Sequence, residues 1–203
     1  MSKGTLTRER ILGQAMRIAS TDGLNGLTIG GLADVLEMSK SGLFAHFRSK
    51  EELQLQVLDA AADRFRATVV EPALAAPGGE PRLRELFNRW MTWAEAAGMP
   101  GGCVFVQAGV ELDDQEGPVR DRLVESQRDW MESLELFAAG AVKRGHFRTD
   151  VDPALFGFQL QGIMLAWHRA HRLLRDPDAT ARARAAFEAL VASARPSIPQ
   201  PGA

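Results

Sequence analysis

Residues 28–53 carry the sequence TIGGLADVLEMSKSGLFAHFRSKEEL, in which three helix starts follow one another closely. Thr28, Ser39 and Ser49 each stand directly before an apolar pattern with helical spacing. Their hydroxyl oxygens can accept hydrogen bonds from the free N–H groups of a first helical turn. Ser49 and Glu52 also have the spacing of a capping box, in which each side chain accepts from the other residue's N–H. The stretch therefore predicts two short helices and the start of a longer one.

The two short helices each have one apolar face. The inward positions have helical spacing and are Ile29, Leu32, Ala33 and Leu36 in the first helix, and Leu43 and Phe47 in the second. Helices of this length are not stable alone. We therefore expect them to pack against two flanking helices, one predicted at 7–22 and one that begins at Ser49.

The second short helix turns an unusual set of side chains away from its apolar face: Lys40, Ser41, Phe44 and Ala45. A cation, a small hydroxyl and an exposed aromatic ring suit a helix that lies in the major groove of DNA. An ordinary solvent-facing helix surface would explain the same residues. The pattern alone therefore leaves two interpretations open, a recognition helix and a solvated helix face.

The rest of the chain also has helical periodicity. Beyond a cluster of proline and glycine at 77–81, we predict helices at 82–97, 103–112, 118–144, 153–174 and 179–194. No pair of strand patterns and no internal repeat is recognised. The predicted fold class is therefore all-α, with a small three-helix head followed by a helical bundle.

The composition favours a folded protein that works inside the cell. Of 203 residues, 45% are apolar and 25% are charged, which is enough for a sizeable core. The lone cysteine, Cys103, cannot form an internal disulfide, which favours a reducing, cytoplasmic location. We recognise no signal peptide and no apolar stretch long enough to cross a bilayer. Residues 1–50 carry a net charge of +3 and the remainder −5, so a polyanion is a candidate partner for the head.

The head resembles a known family of DNA-binding proteins. Within residues 28–53, the pattern T-I-x-x-L-A-x-x-L-x-M-S-K-S-G-L-F-x-H-F-x-S-K-E-E-L is similar to the DNA-binding signature of TetR-family transcriptional regulators. The resemblance covers residues 7–60 continuously. It implies a helix-turn-helix DNA-binding domain at 1–50 and a helical effector-binding and dimerisation domain at 51–195. We expect the proline-rich remainder, 196–203, to form a disordered tail.

The resemblance implies contacts with the DNA backbone at three positions. Thr28 stands where the family has a hydroxyl N-cap whose helix end meets a phosphate, and helix N-termini favour anions. His46 stands at a position that commonly touches the DNA backbone, and Lys50 corresponds to the family's phosphate-contacting lysine. Each position has a structural alternative: Thr28 caps its helix in any case, His46 can pack against the first helix, and Lys50 can be solvated.

The resemblance also implies that the start of the third helix reads the DNA. Lys40, Ser41 and Gly42 stand where the family's side chains reach base edges or phosphates. Phe44 stands where the family usually has tyrosine and cannot donate a hydroxyl to a phosphate. We expect that contact to be lost, or replaced by packing of the ring on a sugar or on a thymine methyl group.

Two further features depart from the family pattern. Glu37 occupies the turn where the family usually has glycine, and a positive φ there would strain a glutamate. Gly30 and Gly31 lie inside the second helix, where two glycines cost about 2 kcal/mol of helix propensity relative to alanine. We therefore expect a head of reduced local stability.

No catalytic or metal-binding motif is recognised in the rest of the chain. The sequence has no Glu-x-x-His pattern, no glycine-rich phosphate loop and no Gly-x-Ser-x-Gly turn, so we expect no enzyme activity, no cofactor and no metal. Aromatic and methionine side chains on separate helices can instead line an apolar effector pocket. The candidates are Trp90, Trp93, Phe105, Phe137, Met164 and Trp167. Charged candidates for orienting the effector are Arg89, Glu111 and His168.

The helix predicted at 153–174 is apolar on two faces. One face includes Leu160, and the other includes Phe158 and Leu165. A helix that is apolar on both sides packs within its subunit and against a second molecule. The helix at 179–194 offers small side chains for close approach. We therefore expect a homodimer through these two helices, which Leu160→Glu would dissociate if Leu160 lies on the shared face.

The resemblance, together with these patterns, implies a cytoplasmic, homodimeric regulator, most simply a repressor. It would bind a palindromic double-stranded operator and leave it when a small apolar effector binds. The alternative from another class is a helical small-molecule carrier or enzyme whose head is purely structural. DNA affinity separates the two hypotheses.

Overall fold

The computed structural model describes the chain at residues 3–96 and 98–196, with side chains from residue 8 onward. The predicted tail at 196–203 lies outside these residues apart from Pro196. The described helices are α1 (Lys3–Gly26), α2 (Ile29–Leu36), α3 (Lys40–Phe44), α4 (Lys50–Phe65), α5 (Glu71–Ala75), α6 (Glu80–Ala94), α7 (Val104–Glu111), α8 (Pro118–Lys143), α9 (Pro153–Arg172) and α10 (Ala179–Ala194). A π-helical turn, Arg66–Val70, joins α4 to α5.

The all-α fold class is confirmed, because the described residues form helices and connecting segments and contain no strand. The predicted helices are present, with ends that differ by a few residues. The largest shift at a helix start is in α1, which begins at Lys3 where the sequence pattern begins at residue 7. None of the described helices combines the length and the apolar character that crossing a bilayer requires.

The first four helices enclose an apolar core, and two of their predicted caps are confirmed. The fully buried side chains include Ile11, Ala15, Leu32, Leu43, Phe47, Leu53 and Val57. Thr28 Oγ1 accepts a hydrogen bond from the Gly31 N–H at 3.0 Å, and begins α2. Ser39 Oγ accepts from the Gly42 N–H at 3.1 Å, and begins α3. These caps satisfy N–H groups that a helix start would otherwise leave free.

The predicted capping box at the start of α4 forms with one difference. Ser49 Oγ accepts from the Glu52 N–H at 3.0 Å, as expected. The Glu52 carboxylate, however, accepts from the Arg48 N–H at 2.9 Å, one residue before the predicted partner. Its other oxygen accepts from the Gln56 side-chain amide at 2.9 Å. The glutamate therefore joins the turn before α4 to the second turn of that helix.

Two backbone positions in the head have a positive φ. Gly23 (φ 77°, ψ 170°) interrupts α1 where the sequence predicts that the helix ends. Glu37 (φ 54°, ψ 39°) ends α2 in the left-handed conformation, which strains a residue with a side chain. The N–H groups of Glu37 and Met38 bond back to the carbonyls of Asp34 and Ala33 at 3.3 and 3.0 Å. These bonds close the end of α2 and offset part of the strain.

The chain packs as two compact units. The first comprises the residues up to Thr68 together with Thr92–Gln127, and the second comprises Val69–Met91 together with the residues from Arg128 onward. The first unit includes both α1 and α7, which pack along each other. The predicted boundary between residues 50 and 51 is therefore not a boundary of packing; as a division by function it stays a prediction.

In the second unit, aromatic and ionic contacts join α6 to α10. The rings of Phe87 and Phe187 stack at 4.3 Å between centroids, with 9° between their planes. The Arg84 guanidinium pairs with Glu188 at 2.5 Å and with Glu80 at 2.7 Å. An aromatic pair in the core and an ion-pair network at its edge thus fix these helices against each other.

Helix α9 has the two apolar faces that its sequence predicts. The inner face is buried and carries Phe156, Leu160, Met164 and Trp167. The outer face is exposed and carries Leu155, Phe158 and Leu165. Because Leu160 is fully buried within its own chain, Leu160→Glu would disrupt the core and is no test of a shared surface.

Candidate nucleic-acid interface

Helix α3 presents polar and aromatic side chains on one side and an apolar anchor on the other. Leu43 is fully buried and fixes the orientation of this single helical turn. Lys40 and Ser41 are exposed, Gly42 is half-buried, and the Phe44 side chain is 51% exposed. The predicted outward set therefore lies on the surface together, as a helix that enters a DNA groove requires.

The ammonium group of Lys40 lies beside the first turn of α2. A Cβ atom placed on Gly30 would lie 3.5 Å from Lys40 Cε and 3.7 Å from Lys40 Nζ. The Thr28 hydroxyl, which caps the same turn as an acceptor, keeps its own proton for donation. A cation and a helix N-terminus, two groups that favour an anion, thus lie next to each other.

Lys50 is the first residue of α4 and is exposed. Its Nζ donates a hydrogen bond to the carbonyl oxygen of Asn25, at 2.5 Å. Because an ammonium group has three donors, two more can reach an anion from the solvent side. The N-terminus of α4 adds a partial positive charge at the same place.

His46 is half-buried and packs toward Phe47, with 6.3 Å between the ring centroids and 46° between the planes. This contact is with the next residue of the chain and not with the first helix, the packing partner considered for His46. The Arg8 guanidinium of α1 lies 5.8 Å from the centroid of the same Phe47 ring and donates to Gln56 Oε1 at 2.6 Å. Arg8 is not among the residues predicted from the sequence, because both of its partners lie far along the chain.

Two further helices bind α1 at its break, in a junction that the sequence does not predict. The Glu111 carboxylate, at the end of α7, accepts hydrogen bonds from the N–H groups of Leu24 and Asn25 at 2.7 and 2.5 Å. Gln54 of α4 donates to the Leu24 carbonyl at 2.7 Å. Glu111, a candidate for orienting an effector, thus uses both carboxylate oxygens on the backbone of α1. The backbone leaves the helical conformation at this junction, where Gly23 has a positive φ.

The six aromatic and methionine candidates for effector binding are all buried: Trp90, Trp93, Phe105, Phe137, Met164 and Trp167. Four of them belong to two ring clusters, and each compact unit contains one of these clusters. In the first unit, Trp93 and Phe105 pack edge-on against Phe65, with centroids 5.3 and 6.2 Å apart. In the second, Trp90 packs edge-on against Trp167 at 5.7 Å.

Two titratable groups near these clusters have pKa values that their surroundings shift. Cys103 is buried and accepts a hydrogen bond from Trp93 Nε1 at 3.4 Å; burial raises the pKa of its thiol. Burial also lowers the pKa of His168, and the nearby Arg172 acts in the same direction. Arg89, the remaining charged candidate, pairs with Glu85 at 2.6 Å.

An open groove of about 650 Å³ runs between α9 and α10. Its lining is mainly small and apolar and includes Gly162, Ile163, Ala166, Ala183, Ala186 and Leu190. The exposed stripe of Leu155, Phe158 and Leu165 lies along α9 as well. The two predicted interface helices therefore offer both protruding apolar side chains and a recess lined by small ones.

Two family models match the chain. The model described as "Bacterial regulatory proteins, tetR family" matches residues 11–57. The model described as "Tetracyclin repressor-like, C-terminal domain" matches residues 79–187, which is more than half of the chain. The search of curated proteins found no match.

The fold is similar to several solved structures. A TetR transcriptional regulator from Chloroflexus aurantiacus matches with a TM-score of 0.82 and 26% identity over 95% of this chain and 96% of that chain. A TetR-family regulator from Cytophaga hutchinsonii matches with a TM-score of 0.82 and 19% identity over 98% and 99%. The structure of AibR in complex with isovaleryl coenzyme A and operator DNA matches with a TM-score of 0.71 and 21% identity over 94% and 100%.

Proposed function

Because this chain belongs to the TetR family of transcriptional regulators, we propose that it binds a palindromic operator as a homodimer and releases it when a small effector binds. The family consists of DNA-binding regulators and not of enzymes. In this proposal the protein is a cytoplasmic repressor. Residues 1–50 bind DNA, and residues 51–195 bind the effector and the second subunit.

The exposed surface of α3 is the observation that carries the DNA-binding proposal. Lys40 and Ser41 begin this helix on its solvent side and would reach base edges or nearby phosphates. Gly42 leaves the helix surface low enough for close approach. Phe44 would place its ring against a sugar or a thymine methyl group, contacts that need no hydroxyl.

Three further residues would hold the DNA backbone. Lys50 has donors left beyond its bond to Asn25, and Thr28 has a free hydroxyl proton at the start of α2. His46, half-buried beside Phe47, would contribute from the segment between α3 and α4. Such contacts set affinity and register, whereas the residues on α3 set the preferred sequence.

The effector proposal rests on the buried aromatic side chains of residues 51–195. A small apolar molecule would bind among the rings around Trp93 and Phe105, or among those around Trp90 and Trp167. Phe137 and Met164 are the remaining buried candidates. AibR, a protein of the same fold, has been solved with both isovaleryl coenzyme A and operator DNA. That complex supports the proposal, because a protein of this fold binds both a small molecule and operator DNA.

The dimer proposal rests on the outer surface of α9 and α10. The exposed apolar stripe and the groove beside it would be covered by the same two helices of a second copy. Such an arrangement is self-complementary under a two-fold axis. In the proposed homodimer, the two copies of α3 would bind successive major-groove segments, about one helical turn apart.

Selection from a random double-stranded DNA library tests the proposal without knowledge of the operator. The wild-type protein should enrich a palindromic sequence, and fluorescence anisotropy on the enriched duplex should give its affinity at several salt concentrations. Lys50→Ala should weaken binding and reduce the slope of log K against log salt by about 0.9 per subunit. Lys143→Ala, a matched loss of an exposed lysine at the end of α8, should leave both values unchanged.

Failure to enrich any sequence, with no affinity for duplex DNA, would contradict the proposal and favour a helical carrier with a structural head. An unchanged salt slope in Lys50→Ala would remove Lys50 from the interface and leave the DNA-binding proposal itself in place.

A further inference from the structure

The break in α1 depends on a glycine for two independent reasons. Gly23 has φ 77° and ψ 170°, a conformation that residues with a side chain rarely adopt. A Cβ atom placed on Gly23 would also lie 2.7 Å from both carboxylate oxygens of Glu111. The glycine thus lets the chain leave the helical conformation and lets a carboxylate approach the backbone at that point.

Glu111 holds the turn that follows. Its Oε2 accepts from the Leu24 N–H at 2.7 Å and its Oε1 from the Asn25 N–H at 2.5 Å. Both are charge-assisted hydrogen bonds, which are shorter and stronger than bonds between neutral groups. Glu111 is the last residue of α7, so this contact joins the end of α7 to the end of α1.

Two side chains of α4 hold the carbonyl groups of the same two residues. Gln54 Nε2 donates to the Leu24 oxygen at 2.7 Å, and Lys50 Nζ donates to the Asn25 oxygen at 2.5 Å. Lys50 and Gln54 are one helical turn apart. Leu24 and Asn25 are therefore bound by α7 through their N–H groups and by α4 through their carbonyl groups.

A second contact fixes the segment before α7 against α1. The Gly101 N–H donates to Ser20 Oγ at 3.1 Å. A Cβ atom on Gly101 would lie only 1.5 Å from the Ser20 carbonyl oxygen, so the two backbones are in direct contact. Residues before and at the end of α7 thus both hold α1, which restricts how Glu111 can move relative to Leu24 and Asn25.

We propose that Glu111 is a positioning residue for DNA binding, which acts on Lys50 through the backbone of Leu24 and Asn25. By fixing this turn, Glu111 fixes the carbonyl oxygen that orients the Lys50 ammonium group. A lysine that is already oriented loses less conformational freedom when it meets a phosphate, so binding is tighter. This inference rests on the proposed function, in which Lys50 contacts DNA. It also means that a change in the position of α7, which belongs to the proposed effector-binding part (residues 51–195), would affect Lys50.

A double-mutant cycle tests the coupling. Glu111→Gln keeps the shape of the side chain but replaces one acceptor oxygen by an amide that cannot accept from an N–H. In the wild-type background it should weaken binding to the enriched duplex by a factor of about five to ten, the scale of one ordinary hydrogen bond. In the Lys50→Ala background it should change affinity less than about twofold, because the residue it positions is gone.

Glu116→Gln is the matched control, because it removes the same charge from an exposed position five residues along the chain. It should leave the affinity unchanged in both backgrounds. Heteronuclear NMR gives a readout that does not need DNA: the Leu24 and Asn25 amide protons should shift upfield in Glu111→Gln, as bonds to a carboxylate are lost. If Glu111→Gln does not fold, Glu111→Asp replaces it. The shorter side chain keeps the charge but moves it away from the Leu24 and Asn25 amides, and this variant should show the same non-additivity with Lys50→Ala.

The outcomes separate the two proposals. If the wild-type protein binds no duplex DNA, the proposed function fails and the positioning role fails with it. If the wild type binds but Glu111→Gln has wild-type affinity, only the positioning role fails. An equal loss in both backgrounds would show that Glu111 acts on the fold and not on Lys50, and would also overturn it.

Discussion

Phe158 and Leu160 are two residues apart on α9 and face opposite sides of that helix: the Phe158 side chain is 70% exposed, and the Leu160 side chain is fully buried. Leu160 belongs to the core of its own chain. Phe158 stands between Leu155 and Leu165 in an exposed apolar stripe. A stripe of this kind is typical of a surface that another molecule covers.

The proposed dimer should therefore depend on Phe158. Phe158→Glu places a charge in the apolar surface and should convert the dimer to a monomer at micromolar concentration, measured by light scattering coupled to size exclusion. The monomer should remain helical and folded, because the side chain is exposed in the isolated subunit. Leu160→Glu should instead unfold the protein, since it buries an unpaired charge.

Val110→Glu is the control for this experiment. Val110 is 76% exposed on α7, which belongs to the other compact unit, so the same chemical change there should leave the dimer intact. A dimeric Phe158→Glu variant would contradict the assignment of α9 to the interface.

Phe44→Tyr should tighten DNA binding. Phe44 is half exposed on α3, and a tyrosine would add a hydroxyl without changing the packed part of the ring. One added hydrogen bond to phosphate contributes about 1 kcal/mol, or about a fivefold gain in affinity. Anisotropy on the enriched duplex measures it. Phe44→Leu, which adds no hydroxyl, should not bind more tightly, and an equal affinity for the tyrosine variant and the wild type would place the ring out of reach of the backbone.

Substitution by alanine should change the free energy of unfolding in opposite directions at two glycines of the head. Gly23→Ala should destabilise the protein by about 1–3 kcal/mol, the usual cost of a backbone conformation that favours glycine, and the new Cβ would also press on the Glu111 carboxylate. Gly30→Ala should stabilise α2 by up to about 1 kcal/mol, because its Cβ would meet only the end of the flexible Lys40 side chain.

Urea denaturation of both variants measures these changes. If the missing side chain at Gly30 lets DNA approach α2, the Gly30→Ala variant should also bind DNA more weakly, although its fold is more stable. A Gly23→Ala variant as stable as the wild type would contradict the account of the α1 break.

The free energy of unfolding should decrease in acid, because Glu80 becomes protonated and loses its ion pairs. Hydrogen bonds from the Arg195 guanidinium, and then from Arg84, lower the pKa of Glu80 to about 2 from its ordinary value of 4.5. A carboxyl whose pKa is lower in the folded state contributes stability that is fully present above its unfolded pKa. That stability is lost as the pH falls from about 4.5 toward 2.

Glu80→Gln should consequently cost about 1–2 kcal/mol at pH 7, a value reduced for solvent screening, and its cost should shrink toward pH 2. Urea titrations at pH 7, 4 and 2.5 measure the difference from the wild type. Glu132→Gln is the matched control, because it removes the same charge at an exposed position of α8. A cost that stays constant with pH would contradict the ion-pair origin of the effect.

Local features of this protein could be predicted from its sequence. The N-caps at Thr28, Ser39 and Ser49, the break near Gly23 and the inward positions Leu43 and Phe47 all follow from residues within one or two helical turns of each other. Hydrogen bonds and apolar spacing on that scale depend only on the local backbone, so the sequence carries them directly. The same local pattern was enough to identify the family.

The pairing of distant surfaces was decided by the tertiary structure. Nothing near Glu111 indicates that its carboxylate binds the Leu24 and Asn25 amides, 87 and 86 residues away. The two apolar faces of α9 look alike in the sequence, and only packing shows that Leu160 lies inside while Phe158 lies outside. The physical reason is the same in both cases. A helical pattern states which residues share a face, but which faces meet depends on the path of the whole chain.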